Sequence, residues 1–179
     1  MIHGGAGPDE TVFFAHGPVA ANLAAGTATG EGFDTMDRVD NLTGTGASDT
    51  LIGDAGRNLI RGWGGNDTIR GGGDTDALSG GAGNDRVFGE GGDDKLGDSE
   101  SPEEGADYFS GGSGADLVLA GLGADTVVGG LGPDSLFGDA DADHLDGRDG
   151  IAGNDAVDGG SSDVDVCVAD PSDALTGCP

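Results

Sequence analysis

The sequence has few basic residues, few aromatic residues and no long apolar run. Only 7 Lys and Arg residues stand against 34 Asp and Glu residues, so the formal net charge is −27. A chain this acidic repels a phosphate backbone, which argues against nucleic acid as a partner. No apolar stretch reaches the roughly 18 residues of a membrane span, so none is predicted. With 35% apolar and 4% aromatic residues, a conventional globular core is not expected either.

Motifs that carry catalysis are also missing. No H-E-x-x-H, G-x-S-x-G or phosphate-binding P-loop occurs in the sequence, and each of these marks a defined class of enzyme. The many carboxylates stand in a repeated column, whereas paired catalytic carboxylates occupy unique positions with perturbed pKa values. We therefore predict that the chain is not an enzyme and has no catalytic residue.

What the sequence does have is a nine-residue unit that repeats. A clean copy is GGAGNDRVF at residues 80–88. The unit runs without a gap through residues 44–97 and again through residues 111–146, and lengthened copies occupy residues 98–110 and 147–158. Repetition at a fixed short period is the signature of a solenoid, in which each unit buries its apolar side against its neighbours.

Two columns of the aligned units determine the interpretation. The sixth position holds Asp49, Asn58, Asp67, Asp76, Asp85, Asp94, Asp107, Asp116, Asp125, Asp134, Asp143 and Asp155. The eighth position holds Leu51, Ile60, Ile69, Leu78, Val87, Leu96, Phe109, Val118, Val127, Leu136, Leu145 and Val157. Because the two positions lie two residues apart, they face the same side of a strand. The residues from the seventh to the ninth position are rich in β-formers, so each unit is predicted to be a loop followed by a short strand.

The loops have the composition of a site for a hard cation. Their glycines permit positive φ angles and let the backbone turn its carbonyl groups inward. Backbone carbonyls with one carboxylate make an oxygen donor set that suits Ca²⁺, which takes about six to eight oxygen ligands. One loop supplies too few oxygens, so neighbouring loops must share each ion. A solenoid of parallel strands stacked about 4.8 Å apart would allow this sharing.

The two columns resemble the nonapeptide GGxGxDxUx, where U is a large apolar residue, of the repeats-in-toxin (RTX) calcium-binding family. The resemblance covers residues 44–158 and implies an all-β fold. The fold would be a right-handed parallel β-roll with two units per coil, so that the loops alternate between two edges. One edge would hold Asp49, Asp67, Asp85, Asp107, Asp125 and Asp143. The other would hold Asn58, Asp76, Asp94, Asp116, Asp134 and Asp155.

The resemblance also implies the metal ligands. They would be the sixth-position side chains together with the backbone carbonyls of Gly62, Gly64, Gly80, Gly81, Gly83, Gly111, Gly112, Gly114, Gly129, Gly130 and Gly132. With one Ca²⁺ between each pair of neighbouring loops on an edge, the chain would bind on the order of ten ions. The weakest sites are expected where Asn58 replaces an acid and at the lengthened loop before Asp107, where the pitch of the coils is expected to break.

The segments on either side of the repeats are predicted to be caps. Residues 1–43 would form an N-terminal cap with degenerate repeats, and residues 44–158 the roll itself. Short strands are expected on both sides of Gly26, and residues 35–43 fit a degenerate unit with Asp40 sixth and Leu42 eighth. The apolar plug of this cap is expected to consist of Phe13, Phe14, Phe33 and Met36.

Residues 159–179 would form the C-terminal cap, which contains both cysteines of the chain. A disulfide between Cys167 and Cys178 would stabilise this cap by roughly 2–3 kcal/mol. A disulfide also indicates an oxidising, extracellular setting.

Three functions are compatible with this reading. The first is a Ca²⁺-responsive structural module of a secreted bacterial protein, which folds outside the cell. The second is the non-catalytic tail of a secreted enzyme such as a protease, lipase or epimerase. The third is an adhesive or self-assembling surface protein whose coils stack on those of neighbouring chains. The expected partners are calcium ions and either a larger parent polypeptide or further copies of the chain.

Overall fold

The computed structural model describes residues 2–3, 7–13, 17–30, 32–97, 105–161 and 164–178, and these residues form strands, turns and loops. The strands, in chain order, are β1 (Ile2–His3), β2 (Glu10–Val12), β3 (Ala20–Asn22), β4 (Thr27–Thr29), β5 (Phe33–Asp37), β6 (Asn41–Thr43), β7 (Thr50–Ile52), β8 (Leu59–Gly64), β9 (Thr68–Gly72), β10 (Ala77–Ala82), β11 (Arg86–Gly91), β12 (Lys95–Leu96), β13 (Tyr108–Ser113), β14 (Leu117–Leu119), β15 (Thr126–Leu131), β16 (Ser135–Phe137), β17 (His144–Asp146), β18 (Ala156–Asp158), β19 (Val166–Val168) and β20 (Ala174–Thr176). Within the described ranges there is no helix with the length and apolar character needed to cross a membrane.

The strands lie in two sheets, and from β5 onwards they alternate between them. One sheet has the order β1-β5-β4-β3-β7-β9-β11-β13-β15-β17-β19, and the other has the order β2-β6-β8-β10-β12-β14-β16-β18-β20. From β6 onwards each strand pairs in parallel with the strand two further along the chain. Equivalent positions lie side by side; Val87, for example, pairs with Ile69 and with Phe109. Two units therefore complete one coil, and the predicted parallel β-roll is confirmed.

The apolar column forms the core between the two sheets. All the eighth-position side chains are at most 2% exposed. Their neighbours on each strand point outward and are partly or fully exposed, as in β15, where Thr126 and Val128 flank the buried Val127. Each core residue stacks on its equivalent in the next coil, so one apolar residue per unit is enough to exclude water from this thin core.

Most of the loops turn through positive φ angles at their second and fourth positions. Gly83 has φ 129° at the fourth position, and a Cβ atom there would collide with the carbonyl of Gly65 in the preceding coil. Asp74 and Asp141 replace the fourth-position glycine and adopt φ angles of 65° and 75°, which Asp tolerates better than most residues. Trp63, at a second position, has φ 86° and is 69% exposed.

A short antiparallel segment precedes the roll. Strands β3 and β4 pair in antiparallel fashion on either side of Gly26, and β4 pairs in the same way with β5. Leu42 lies beside Ile60 in the other sheet and is fully buried, as expected for the eighth residue of a degenerate unit.

The expected apolar plug is only partly formed. Met36 is buried and Phe13 packs against the core, but the prediction for Phe33 was wrong, because its side chain is 71% exposed. Phe14 lies outside the described residues.

The parallel stacking continues beyond residue 158. Cys167 of β19 lies beside Leu145, and Leu175 of β20 lies beside Val157. The predicted disulfide between Cys167 and Cys178 is present, with the two Cα atoms 5.9 Å apart. It links the last strand of one sheet to the residues that directly follow the last strand of the other.

Candidate metal centre

The sixth-position side chains lie in two buried columns, one at each edge of the roll. Each of these residues directly precedes a strand, and each is at most 4% exposed. The alternation of units between the two sheets places Asp67 and Asp85 at one edge and Asp76 and Asp94 at the other. The structure thus brings the predicted residues together in the two series expected from the sequence.

One oxygen of each carboxylate is used to join neighbouring coils. The Oδ1 atom of Asp67 accepts a hydrogen bond of 2.7 Å from the backbone N–H of Asp49, and Oδ1 of Asp85 accepts one of 2.7 Å from the N–H of Asp67. On the other edge, Oδ1 of Asp76 accepts from the N–H of Asn58 at 2.7 Å. This pattern repeats along both edges and fixes each carboxylate against the preceding coil.

The second oxygen of these carboxylates has no hydrogen-bond donor. The unpartnered and buried Oδ2 atoms belong to Asp67, Asp76, Asp85, Asp94, Asp107, Asp116, Asp125, Asp134, Asp143, Asp155 and Asp165. A buried, charged oxygen without a partner is strongly destabilising, and native structures rarely leave one unexplained. A regular series of such atoms indicates a ligand that supplies positive charge at each one.

Glycine carbonyls of the next coil lie beside these unpartnered oxygens. A Cβ atom at Gly62 would collide with both Oδ2 of Asp67 and the carbonyl oxygen of Gly80. A Cβ atom at Gly111 would likewise meet Oδ2 of Asp116 and the carbonyl oxygen of Gly129. Oxygens from two neighbouring coils therefore border the same small space, as the sharing of ions between loops requires.

Five of the remaining predicted carbonyls fall into two groups. Those of Gly62 and Gly111 border the equivalent spaces beside Asp49 and Asp94. Those of Gly83, Gly112 and Gly114 face the glycine at the same loop position in the next coil. For these and for Gly64, Gly81, Gly130 and Gly132, a role as metal ligand stays a prediction.

The first loop of each edge differs from the others. Oδ2 of Asp49 accepts hydrogen bonds from the backbone N–H of Thr45 at 2.6 Å and from its hydroxyl at 3.0 Å. Oδ1 of Asn58 accepts from the N–H of Asp54 at 2.8 Å, and its Nδ2 donates to the carbonyl of Asp40 at 2.7 Å. Protein groups satisfy both side chains, so no unpartnered oxygen remains at these two predicted ligand positions.

The lengthened loop before Asp107 leaves the stacking of the coils intact. Residues 98–104 of this loop lie outside the described residues. Beyond them, Oδ1 of Asp107 accepts from the N–H of Asp85 at 2.7 Å, and Phe109 keeps its place beside Val87. The expected break in pitch is therefore not observed at this point of the column.

Two acids were missed by the sequence reading. Asp165 is 3% exposed and its Oδ1 accepts from the N–H of Asp143 at 2.9 Å, so it extends the first edge. Oδ1 of Asp173 accepts from the N–H of Gly153 at 2.7 Å at the end of the other edge. The available signal was the spacing of Asp165 to Cys167 and of Asp173 to Leu175, since each acid precedes a core-column residue by two positions.

Burial shifts the titration of the column carboxylates upward. Burial is the largest cause of the raised pKa values. The hydrogen bond donated by a backbone N–H of the preceding coil lowers the pKa, and for most of the groups the charge of neighbouring carboxylates raises it further. The pKa rises from 3.8 to about 7 for Asp67, Asp76, Asp125 and Asp134, and to about 6 for Asp107, Asp116 and Asp143. The pKa values of Asp85, Asp94 and Asp155 are raised as well.

These shifts predict that acid stabilises the metal-free fold. In the unfolded chain an Asp has a pKa of about 3.9, so between that value and about 6–7 the folded form holds more protons. Folding is favoured at low pH, and this contribution is lost as pH rises through the folded pKa values. Circular dichroism of the metal-stripped protein should show more β-structure at pH 5 than at pH 8.

General charge repulsion also weakens in acid, so a control in concentrated KCl at pH 8 is needed. Salt screens repulsion between exposed charges but does not relieve the burial of a carboxylate. We expect salt alone to restore less β-structure than acid does. A β-content that is unchanged or higher at pH 8 without metal would contradict the role assigned to the buried carboxylates.

The donor set fits a hard cation better than a soft one. Among the described residues, no group of three or more His, Cys, Asp or Glu side chains converges as a metal site. Zinc sites are commonly built from just such clusters of side chains, whereas Ca²⁺ accepts backbone carbonyls together with a few carboxylates. One buried carboxylate oxygen per loop with carbonyls of the adjacent coil is therefore suited to Ca²⁺.

Comparison with known families gives a consistent result. A model of the RTX calcium-binding nonapeptide repeat matches four segments of the chain, residues 43–78, 70–96, 103–127 and 119–151. Together these segments cover more than half of the chain. None of the curated proteins matches the sequence significantly.

Proposed function

The chain belongs to the RTX calcium-binding nonapeptide repeat family, and from this we propose that it is a module that folds when Ca²⁺ binds between its coils. The module is proposed to be structural and not itself catalytic. Its proposed parts are an N-terminal cap at residues 1–43, the roll at residues 44–158 and a C-terminal cap at residues 159–179. The ligands are proposed to be glycine carbonyls of the stacked loops together with the sixth-position carboxylates from Asp67 to Asp155, whose Oδ2 atoms lack a donor.

The observation that carries the proposal is the series of buried Oδ2 atoms without donors. In each of these Asp side chains, Oδ1 accepts a hydrogen bond from a backbone N–H of the preceding coil, as in Asp85 and Asp125. At several loops a glycine carbonyl of the next coil borders the space beside Oδ2. Bound Ca²⁺ supplies the positive charge and the oxygen coordination that these atoms lack. Among the described residues, no hydrogen-bond donor reaches these atoms.

Binding and folding are proposed to be one event. The oxygens that share a site come from different coils, so the unfolded chain cannot assemble them, and the free energy of binding appears as free energy of folding. The charge balance points the same way. About ten Ca²⁺ ions bring +20 against −27 and leave roughly −7, which removes most of the repulsion within the folded chain.

Counting the bound ions tests the proposal. Equilibrium dialysis or native mass spectrometry of the full chain at millimolar Ca²⁺ should give on the order of ten ions. Mg²⁺ at the same concentration should not replace them, because Mg²⁺ requires a tighter octahedral shell. A count of only one or two Ca²⁺ ions would overturn the proposal.

The setting is proposed to be extracellular, as part of a secreted bacterial protein. The disulfide between Cys167 and Cys178 supports this, because such bonds persist in oxidising compartments. A role as the non-catalytic tail of a secreted enzyme agrees with the absence of catalytic motifs. Stacking on another copy draws support from Leu175, a residue of the core column that is 50% exposed at the end of its sheet.

A further inference from the structure

The segment that follows the repeats contains a carboxylate with the geometry of the column. Asp165 lies beyond the residues matched by the family model, which end at 151. Its side chain is 3% exposed, its Oδ1 accepts from the N–H of Asp143 at 2.9 Å, and its Oδ2 is buried without a donor. The unpartnered oxygen distinguishes Asp165 from Asp173, whose Oδ1 and Oδ2 both accept backbone N–H groups.

A backbone carbonyl lies beside this oxygen as it does in the repeats. A Cβ atom placed on Gly159 would stand 2.9 Å from Oδ2 of Asp165 and 2.7 Å from the carbonyl oxygen of Gly177. One coil earlier, a Cβ atom on Gly138 would stand 2.5 Å from Oδ2 of Asp143 and 2.8 Å from the carbonyl oxygen of Gly159. The same pair of oxygens, a carboxylate and a carbonyl of the adjacent chain segment, therefore borders both spaces.

The disulfide ties the two sides of this space together. Cys167 follows Asp165 by two residues, and Cys178 directly follows Gly177. The bond between the two cysteines therefore holds the Asp165 strand and the Gly177 carbonyl in the same final coil. Within the repeats, coils stacked on both sides hold the carboxylate and the carbonyl at a fixed distance. Among the described strands, no further coil is stacked on the outer side of Gly177.

The opposite end of the same edge shows the contrasting case. Asp49 is equally buried and occupies the expected sixth position, but its Oδ2 already accepts two hydrogen bonds from Thr45. Its Oδ1 accepts from the N–H of Val19 at 2.8 Å. Both oxygens of Asp49 are satisfied by the protein, so this loop is closed without a cation.

We propose that Asp165 and Gly177 form a further Ca²⁺ site outside the repeat block, and that Asp49 does not hold an ion. On this edge the cation sites would therefore begin one coil after the first acid of the column, at Asp67, and continue one coil beyond its last acid, to Asp165. This inference rests on the proposed function, because it assumes that Ca²⁺ is the ion taken up by the unpartnered oxygens.

The two acids offer a matched pair of variants for the test. Native mass spectrometry of the full chain at saturating Ca²⁺ would compare Asp165→Asn with Asp49→Asn, each of which removes one negative charge from a buried side chain. We expect Asp165→Asn to bind one ion fewer than the wild type and Asp49→Asn to bind the same number. An unchanged count for Asp165→Asn, or a loss at Asp49→Asn, would overturn the inference.

A second measurement on the wild type covers the case in which a variant does not fold. In crystals grown with Ca²⁺, an anomalous difference map should show a peak between Oδ2 of Asp165 and the carbonyl oxygen of Gly177, and none at Oδ2 of Asp49. A map with peaks along the repeats but none at Asp165 would refute this inference alone. A wild-type chain that binds no Ca²⁺ at all would refute the proposed function instead.

Discussion

Replacing Val127 with Asp is expected to abolish folding of the roll at every Ca²⁺ concentration. Val127 is fully buried and lies between Phe109 and Leu145 in the core column. A carboxylate there would have no partner, and burying an unpaired charge costs several kcal/mol or more. That is comparable with the roughly 5–15 kcal/mol that stabilises a typical domain. Far-UV circular dichroism across a Ca²⁺ titration measures the loss, and Val118→Asp should behave in the same way.

Leu119 provides the matched control for this substitution. It follows Val118 directly but points to the outer face of its strand and is only partly buried. Leu119→Asp should fold at millimolar Ca²⁺ with a change in stability of about 1 kcal/mol or less, as for most surface substitutions. If Leu119→Asp and Val118→Asp failed alike, or folded alike, the assignment of the core column would be incorrect.

The second large effect is expected from the acid column. Asp107 and Asp125 are neighbours on one edge, joined by a hydrogen bond of 2.8 Å from the N–H of Asp107 to Oδ1 of Asp125. Changing both to Asn keeps an acceptor for the backbone but removes two buried anionic oxygens. We expect the Ca²⁺ concentration at the folding midpoint to rise by about tenfold or more, because charged ligands set the affinity of such sites.

The control removes the same amount of charge from elsewhere in the chain. Asp34 and Asp37 are exposed residues of β5, outside both columns. The double variant Asp34→Asn and Asp37→Asn should leave the midpoint within about twofold of the wild type, since surface charges at this distance are screened. An equal shift in the two double variants would mean that net charge, and not the buried oxygens, governs the response to Ca²⁺.

The sequence was sufficient to predict the roll because its period leaves little freedom. An acid and an apolar residue two positions apart, repeated every nine residues, fix which side of each short strand is buried. A shift of one residue would place Arg86 in the core and Val87 outside, so the register is strongly determined. The two edges, the two sheets and the core column all follow from this single pattern.

The ends of the roll could not be read in the same way. In the segment that starts at Gly159, the sixth residue is Val164 and the acid follows one position later, at Asp165. Counting in nines therefore passes over an acid whose place in the column is shown only by its contact with Asp143.

Local hydrogen bonds at the N-terminal end were equally inaccessible from the sequence. Thr45 stands at the second loop position, where five other units carry glycine, but its sequence position does not reveal that it satisfies Oδ2 of Asp49. The exposure of Phe33 likewise depends on how β5 pairs with β4 in the antiparallel segment. Thr45 differs from the residues at its position in the other units, and Phe33 precedes the repeats, so no column of equivalent residues indicated either feature.

The most direct test of the account is a Ca²⁺ titration of the metal-stripped full chain at pH 7.5, followed by circular dichroism. The account predicts coil in excess chelator, β-structure after the addition of millimolar Ca²⁺, and a steep, cooperative transition, with no such transition in Mg²⁺. The buried carboxylates disfavour the metal-free fold at this pH, since their folded pKa values of about 6–7 lie below it. A well-folded, β-rich chain in excess chelator at pH 7.5 would contradict the coupling of binding to folding.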